Sequence, residues 1–185
     1  MLMTFAELQF VVTRAEKPRL PLTELLGLEA GDAGSVSAAG LASLLVRELA
    51  RPTGDDSVEF VVELAAIAAA LHDVVCVHQV AVTSASGAQA WHIASSAAHR
   101  VAISPLGMGV MGVTVLEANL VLHEQVAGLI AAGLDEDRDA DVAVRRVTAD
   151  ADTVGALTAA ELAGLSVEAE AVAGLVRGLE QSAAR

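Results

Sequence analysis

The sequence predicts an α+β fold, a central antiparallel β-meander flanked by helices. Three observations carry that expectation. Apolar residues recur at helical spacing over the first third of the chain, the spacing switches to two-residue alternation after His72-Asp73, and helical spacing returns from Ala118. At 185 residues the chain is long enough to bury about 70% of its unfolded surface, so one full core is available and a single domain over 1–185 is expected. Its 54% hydrophobic content, rich in Val, Leu, Ile and Ala, argues against disorder despite the charge excess.

Thr4 and Glu7 have capping-box spacing, with Phe5, Leu8 and Val12 following at helical intervals, so a first helix starts there. Pro18 and Pro21 end it and lead through Leu22, Leu25, Leu26 and Leu28 into a Gly and Asp loop at 31–34. Ser37 is expected to cap a second helix with an apolar stripe at Leu41, Leu44, Leu45, Val46 and Leu49. Residues 51–56 read as a turn-rich break. A third helix is expected over about 57–71, buried on most sides because no charge follows Glu63 in it.

The alternating region follows. Cys76, His78, Val80 and Val82 share one strand face, and Val77, Gln79, Ala81 and Thr83 the other. Residues 84–87 form a hairpin loop. Trp91 and Ile93 then alternate with Ala90, His92 and Ala94, and Val101 and Ile103 with Arg100, Ala102 and Ser104. Gly107, Gly109 and Gly112 flank the turn into a strand at 113–116. One sheet face is expected to present Val, Ile and Trp. The other is expected to be small and mildly polar, with Ala81, Thr83, Ala94, Ala102, Ser104 and Thr114, and open to water or to another molecule. Beyond the meander, helical spacing runs over 118–134, an acidic stretch covers 135–141, and a short strand covers 142–147. Two closing helices are expected, one opened by Thr158 and Glu161 and one over 167–180.

Charge excludes a class of partners. The net charge is -13, with 24 acids against 11 bases and Lys17 the only lysine, so nucleic acid and anionic lipid are repelled. One Cys makes no intramolecular disulfide, and the first 21 residues lack a basic start followed by an unbroken apolar run, so the expected location is the cytoplasm. Mean hydropathy is +0.56, but Gln79, Ser84, Gly87, Gln89, Ser95, Ser104 and Pro105 interrupt the most apolar region, and no membrane span is expected.

The chemical motifs are weak. Gly107, Gly109 and Gly112 fit G-x-G-x-x-G, a loop that cradles a pyrophosphate at a helix N-terminus, yet the β-prone run Val113-Thr114-Val115-Leu116 follows. A small α/β nucleotide-binding protein using that loop is one alternative, and it requires residues 88–99 to be helical. Residues 80–87 resemble the first strand and loop of short-chain dehydrogenases, whose catalytic tyrosine has no counterpart in a chain without Tyr. Asp135, Asp137 and Asp139 alternate like calcium ligands, but Ala140 and Arg146 stand where the loop needs Gly and Glu. His72, Cys76, His78 and His92 raise a zinc site without a second closely spaced ligand pair. His123-Glu124 opens like a zincin motif, with Ala127 in the place of its second His. No nucleophile elbow or phosphate loop is present. Neither catalysis, metal nor cofactor is therefore expected, and Trp91 is read as core.

The Leu20-Pro21 step, the helix reading Ser43-Leu44-Leu45-Val46-Arg47-Glu48-Leu49-Ala50, the small-residue meander ending at 107–116 and the helix through Ile130 resemble EspG-type proteins. These are associated with the ESX, or type VII, secretion systems of actinobacteria, and the likeness covers about residues 4–134. Typical EspG proteins look like two related halves, and this chain supplies little more than one. The resemblance implies a cytosolic, non-enzymatic chaperone that holds the apolar tip of a secreted helical-hairpin pair. The partner-binding residues proposed from the sequence are Thr83, Ser84, Ser86, Ala94, Ala102, Ser104 and Thr114. A second alternative is a homodimer that rebuilds the two-half shape through the same sheet face.

Overall fold

The computed structural model describes residues 1–14, 20–28, 32–54, 57–85, 87–116, 121–134, 140–157 and 168–182. The chain opens on a short strand, β1 (Leu2–Thr4), that runs directly into α1 (Phe5–Thr13). The predicted capping box is formed: the Glu7 N–H donates to the Thr4 hydroxyl at 3.2 Å, and the Thr4 N–H donates to the Glu7 carboxylate at 2.7 Å. Glu7 is fully buried, and the Ser43 hydroxyl and Arg47 guanidinium also donate to it, each at 2.7 Å. Burial alone raises its carboxyl, but the hydrogen bonds from Ser43 and Thr4 and the charge of Arg47 outweigh it and hold the group below its ordinary 4.5. Ionised Glu7 therefore contributes stability above that ordinary value, and the contribution is lost as pH falls through the lower folded value. Because three donors hold this carboxylate, Thr4→Ala removes only one cap bond and is expected to cost about 1 kcal/mol in urea denaturation.

A single turn, α2 (Leu22–Leu25), precedes α3 (Ala33–Val46). Asp32 caps α3, accepting from the Gly34 and Ser35 N–H groups, so the helix starts well before the Ser37 cap that apolar spacing suggested. The residues between are Gly, Ala, Ser and Val, which carry no apolar stripe to mark the first turn. The break expected at 51–56 lies inside a small hairpin, β2 (Ala50–Pro52) with β3 (Val58–Phe60), and α4 (Val62–His72) begins only after it. Three-residue strands are too short to show alternation.

The sheet follows. Its remaining strands are β4 (Cys76–Ser84), β5 (Gly87–Ser95), β6 (Arg100–Gly107), β7 (Val110–Leu116), β8 (Asp141–Thr148) and β9 (Asp152–Leu157), in the spatial order β1-β7-β6-β5-β4-β8-β9. Every pairing is antiparallel. The meander is as predicted, whereas both edge strands, β1 and β9, are additions. Two longer helices complete the described residues, α5 (Leu122–Leu134) after the meander and α6 (Glu168–Ser182) at the end. The acidic triplet Asp135, Asp137 and Asp139 and the helix expected from Thr158 and Glu161 lie outside the described residues.

Two features exclude the nucleotide-binding alternative. Residues 87–95 are strand, paired with β4 and β6, where that fold needs a helix. Gly107, Gly109 and Gly112 belong to a tight hairpin between β6 and β7, whose two central residues, Met108 and Gly109, have φ of 52° and 74°. Positive φ at both positions is the signature of a type I′ turn, which joins two strands and leaves no helix N-terminus for a phosphate.

Helices cover both faces of the sheet, displaced from one another. On the front face Val77, Ala94, Val101, Ile103, Val113 and Val147 form one core with Leu8, Val11 and Val12 of α1, Leu44 of α3 and Leu64, Ile67 and Leu71 of α4. On the back face Val80, Val82, Ile93, Val142 and Val144 form a second core with Val126 and Ala127 of α5 and Val176 and Leu179 of α6. Trp91 packs against this second core. Among the described residues each helix layer buries only part of its face, which leaves a lightly covered region on the front.

Candidate functional site

The front core ends at a row of polar side chains. The Gln79 amide donates to the Leu25 carbonyl, and its oxygen accepts from Arg145 at 3.1 Å. Arg145 in turn donates through two nitrogens to Asp152 at 2.9 and 2.7 Å. Beside Gln79 on β5 stands half-buried His92, whose pKa burial lowers. Beyond this row the front face is made mostly of small residues, with the exposed carboxylate of Asp141 on β8 opposite Thr83. Ala81, Ala90 and Ala143 are half-buried and Thr83, Ala88 and Ala156 exposed, with Val154 of the edge strand 66% exposed. Cross-strand pairing makes them one patch, through Ala81 with Ala90 and Ala143, Thr83 with Ala88, and Ala143 with Ala156.

The small, mildly polar face drawn from the sequence is split between the two sides of the sheet. Thr83 lies in the front patch, and Ser84 closes the adjacent hairpin, pairing with Gly87 and donating to its carbonyl at 3.4 Å. Ser86 lies outside the described residues. Ala94 is on the front but fully buried beneath the helices. Ala102, Ser104 and Thr114 are on the back, because Ala102 pairs with Ile93 and Thr114 with Ala102. Ala102 is itself buried, and Ser104 is half-buried. Alternation within a strand gives two sets of residues; the connection between strands decides which sets meet. Here Ser95 pairs with Arg100 across the turn at 96–99, which puts the Trp91 and Ile93 set with Arg100 and Ala102 and not with Val101 and Ile103.

The back face carries a second, more polar group of residues. His78 stands opposite Arg146 on β8 and Ile93 on β5, and Cys76 opposite Thr148 and Ser95, which pairs with Arg100. The Cys76 Sγ lies 3.6 Å from the His78 Nδ1. Arg100 donates to the Gln125 side-chain oxygen at 3.2 Å, which fixes the first turn of α5 over this end of the sheet. His78 is fully buried, and desolvation, followed by the positive charges of Arg146 and Arg100, pushes its pKa down to about 4. It is a neutral imidazole near pH 7. The group escaped sequence reasoning because it draws on four strands, although Arg145-Arg146 carried a signal: adjacent residues of a strand point to opposite faces, so one guanidinium had to turn inward.

The histidines and cysteine that raised a zinc site are dispersed. Cys76 and His78 face the back, His92 faces the front, and His72 is exposed at the end of α4. Among the described residues no three His, Cys, Asp or Glu side chains gather as metal ligands. No described helix is long and apolar enough to cross a membrane. No protein-family model matches the chain, and no curated protein matches it either.

Proposed function

We propose that the chain is a non-enzymatic, cytoplasmic protein-binding module, of the kind its EspG-like sequence pattern implies: a chaperone for secreted helical-hairpin proteins of a type VII system. The observation that carries this reading is the small-residue patch on the front face. Alanine and threonine side chains rise little above a sheet, so the backbone of a docked helix approaches closely and buries area without meeting bulky groups. Val154, 66% exposed at its margin, offers an aliphatic contact to an apolar tip. The excess of acids outside the patch keeps an unloaded chaperone soluble and discourages self-association.

Affinity capture of the tagged chain from its native lysate, with mass spectrometry of what is retained, tests the reading. The expected result is a small secreted helical-hairpin protein in fixed ratio. Thr83→Arg, which sets a long charged side chain at an exposed position of the patch, is expected to abolish retention while leaving the urea midpoint within about 0.5 kcal/mol of wild type. Recovery of the chain alone, or retention untouched by Thr83→Arg, would overturn this reading.

A further inference from the structure

The back-face group of polar residues has a one-sided chemistry. Arg146 Nε and Nη1, His78 Nε2 and Ser95 Oγ are buried, and among the described residues none of them has a hydrogen-bond partner. A guanidinium stays protonated in proteins, so these are two N–H-bearing nitrogens of a permanent cation taken out of water without an acceptor. His78 adds a donor of the same kind. With Cys76 Sγ 3.6 Å from Nδ1, a thiol proton directed at Nδ1 selects the tautomer that carries its hydrogen on Nε2. Ser95 Oγ also donates. The Gln125 side-chain oxygen accepts from Arg100. Unmatched donors and two cations therefore lie side by side on neighbouring strands of a chain whose net charge is -13.

We infer that this patch is a binding site for a small oxyanion, with Arg146 as its main charged ligand, His78 Nε2 and Ser95 Oγ as neutral donors, and Arg100 completing the charge. Several lone pairs on one compact anion match donors arriving from β4, β5 and β8 at once, which a single protein carbonyl does not. The depressed basicity of His78 agrees, since desolvation first and then the charges of Arg146 and Arg100 lower it. The site lies on the face opposite the small-residue patch, so it stands independently of the proposed chaperone role.

The test is thermal unfolding of the full chain in inorganic phosphate, in acetate and in chloride at matched ionic strength. Phosphate at about a hundred times its Kd is expected to raise Tm by about 5 °C over chloride. An equal rise in acetate assigns the site to carboxylates, and a larger one in phosphate to tetrahedral anions; either supports it. Arg146→Met is expected to abolish the response, and in chloride to melt no lower than wild type because it removes two buried N–H-bearing nitrogens that lack acceptors among the described residues. Ser95→Ala, a smaller change that keeps the fold, is expected to shrink the response and to weaken the phosphate-induced shift of the His78 Nε2 resonance. A wild-type Tm that is the same in all three salts, or a phosphate response that survives Arg146→Met, would overturn the inference.

Discussion

Gly40→Ala is expected to destabilise the protein by about 3 kcal/mol or more, against the sign of helix propensity. In the interior of an exposed helix the same change stabilises by roughly 0.5–1 kcal/mol. Gly40 is a buried residue of α3, and a Cβ built on it would overlap the Ala6 carbonyl oxygen and lie 2.6 Å from the Ala6 carbonyl carbon and 3.1 Å from the Glu7 nitrogen. These are backbone atoms of α1, which no rotamer change moves. Nor is α1 free to retreat. Its start is fixed by the capping box, by the Phe5 N–H donating to the Gly109 carbonyl at 2.7 Å, and by the Glu7 contacts with Ser43 and Arg47 of the α3 region. Moving α1 away from α3 stretches the bonds that neutralise a buried carboxylate. Gly155→Ala is the matched control: the atom its Cβ would overlap is the Leu175 Cδ1 of α6, the end of a flexible side chain, and the expected cost is about 1 kcal/mol. Urea midpoints of the two variants check the contrast, and a Gly40→Ala protein as stable as wild type would show that the helices are not locked at this crossing.

How far the sequence reports this fold depends on how many residues each element has in which to show its period. β4 alternates from His78 to Thr83, and Thr4 and Glu7 announce α1 through a side-chain exchange that involves only neighbours in sequence. The three-residue strands β1, β2 and β3 give too few positions for alternation to register. In β9, Asp152-Thr153-Val154-Gly155-Ala156-Leu157, the front mixes Asp152 with Val154 and Ala156 and the back sets Thr153 beside a glycine packed beneath Leu175, so no unbroken apolar set marks the strand. The candidate sites were less legible still. Thr83 follows from alternation along its own strand and Ser84 from the loop signal at 84–87, whereas the side on which Ala102, Ser104 and Thr114 lie is a matter of register, a relation between strands that alternation does not report. Arg146, His78, Ser95 and Arg100 become a group only through three separate pairings, and no pattern along the chain brings them together.

His78 makes the stability of the fold depend on pH well above the range in which its carboxylates titrate. The ring is fully buried, with Arg146 and Arg100 as its charged neighbours and the Cys76 Sγ 3.6 Å from its Nδ1. Protonating it in place would set a third positive charge in a region with little water, so its folded pKa is about 4 against an ordinary 6.5. Between those values the unfolded chain binds a proton that the folded chain does not, and protonation therefore pulls the equilibrium toward unfolding. The expected result is a stability that is level above about pH 7 and falls by about 3 kcal/mol as pH drops from 6.5 to about 4. Glu7, held below 4.5, adds its own loss only at the lower end of that range. Urea denaturation at a series of pH values separates the two, because His78→Gln removes a titrating group and is expected to reduce the slope above pH 4.5 to the share carried by His92, whose pKa burial also lowers, while leaving the acid limb in place. An unchanged slope in His78→Gln would mean that another group carries the dependence. A bound oxyanion acts in the opposite direction to the guanidiniums, since negative charge beside the ring raises its folded pKa toward 6.5 and shortens the pH interval over which stability is lost. The same titration in phosphate and in chloride thus reads the back-face site through a second observable, the pH dependence of unfolding, that shares no assumption with the melting temperature at neutral pH.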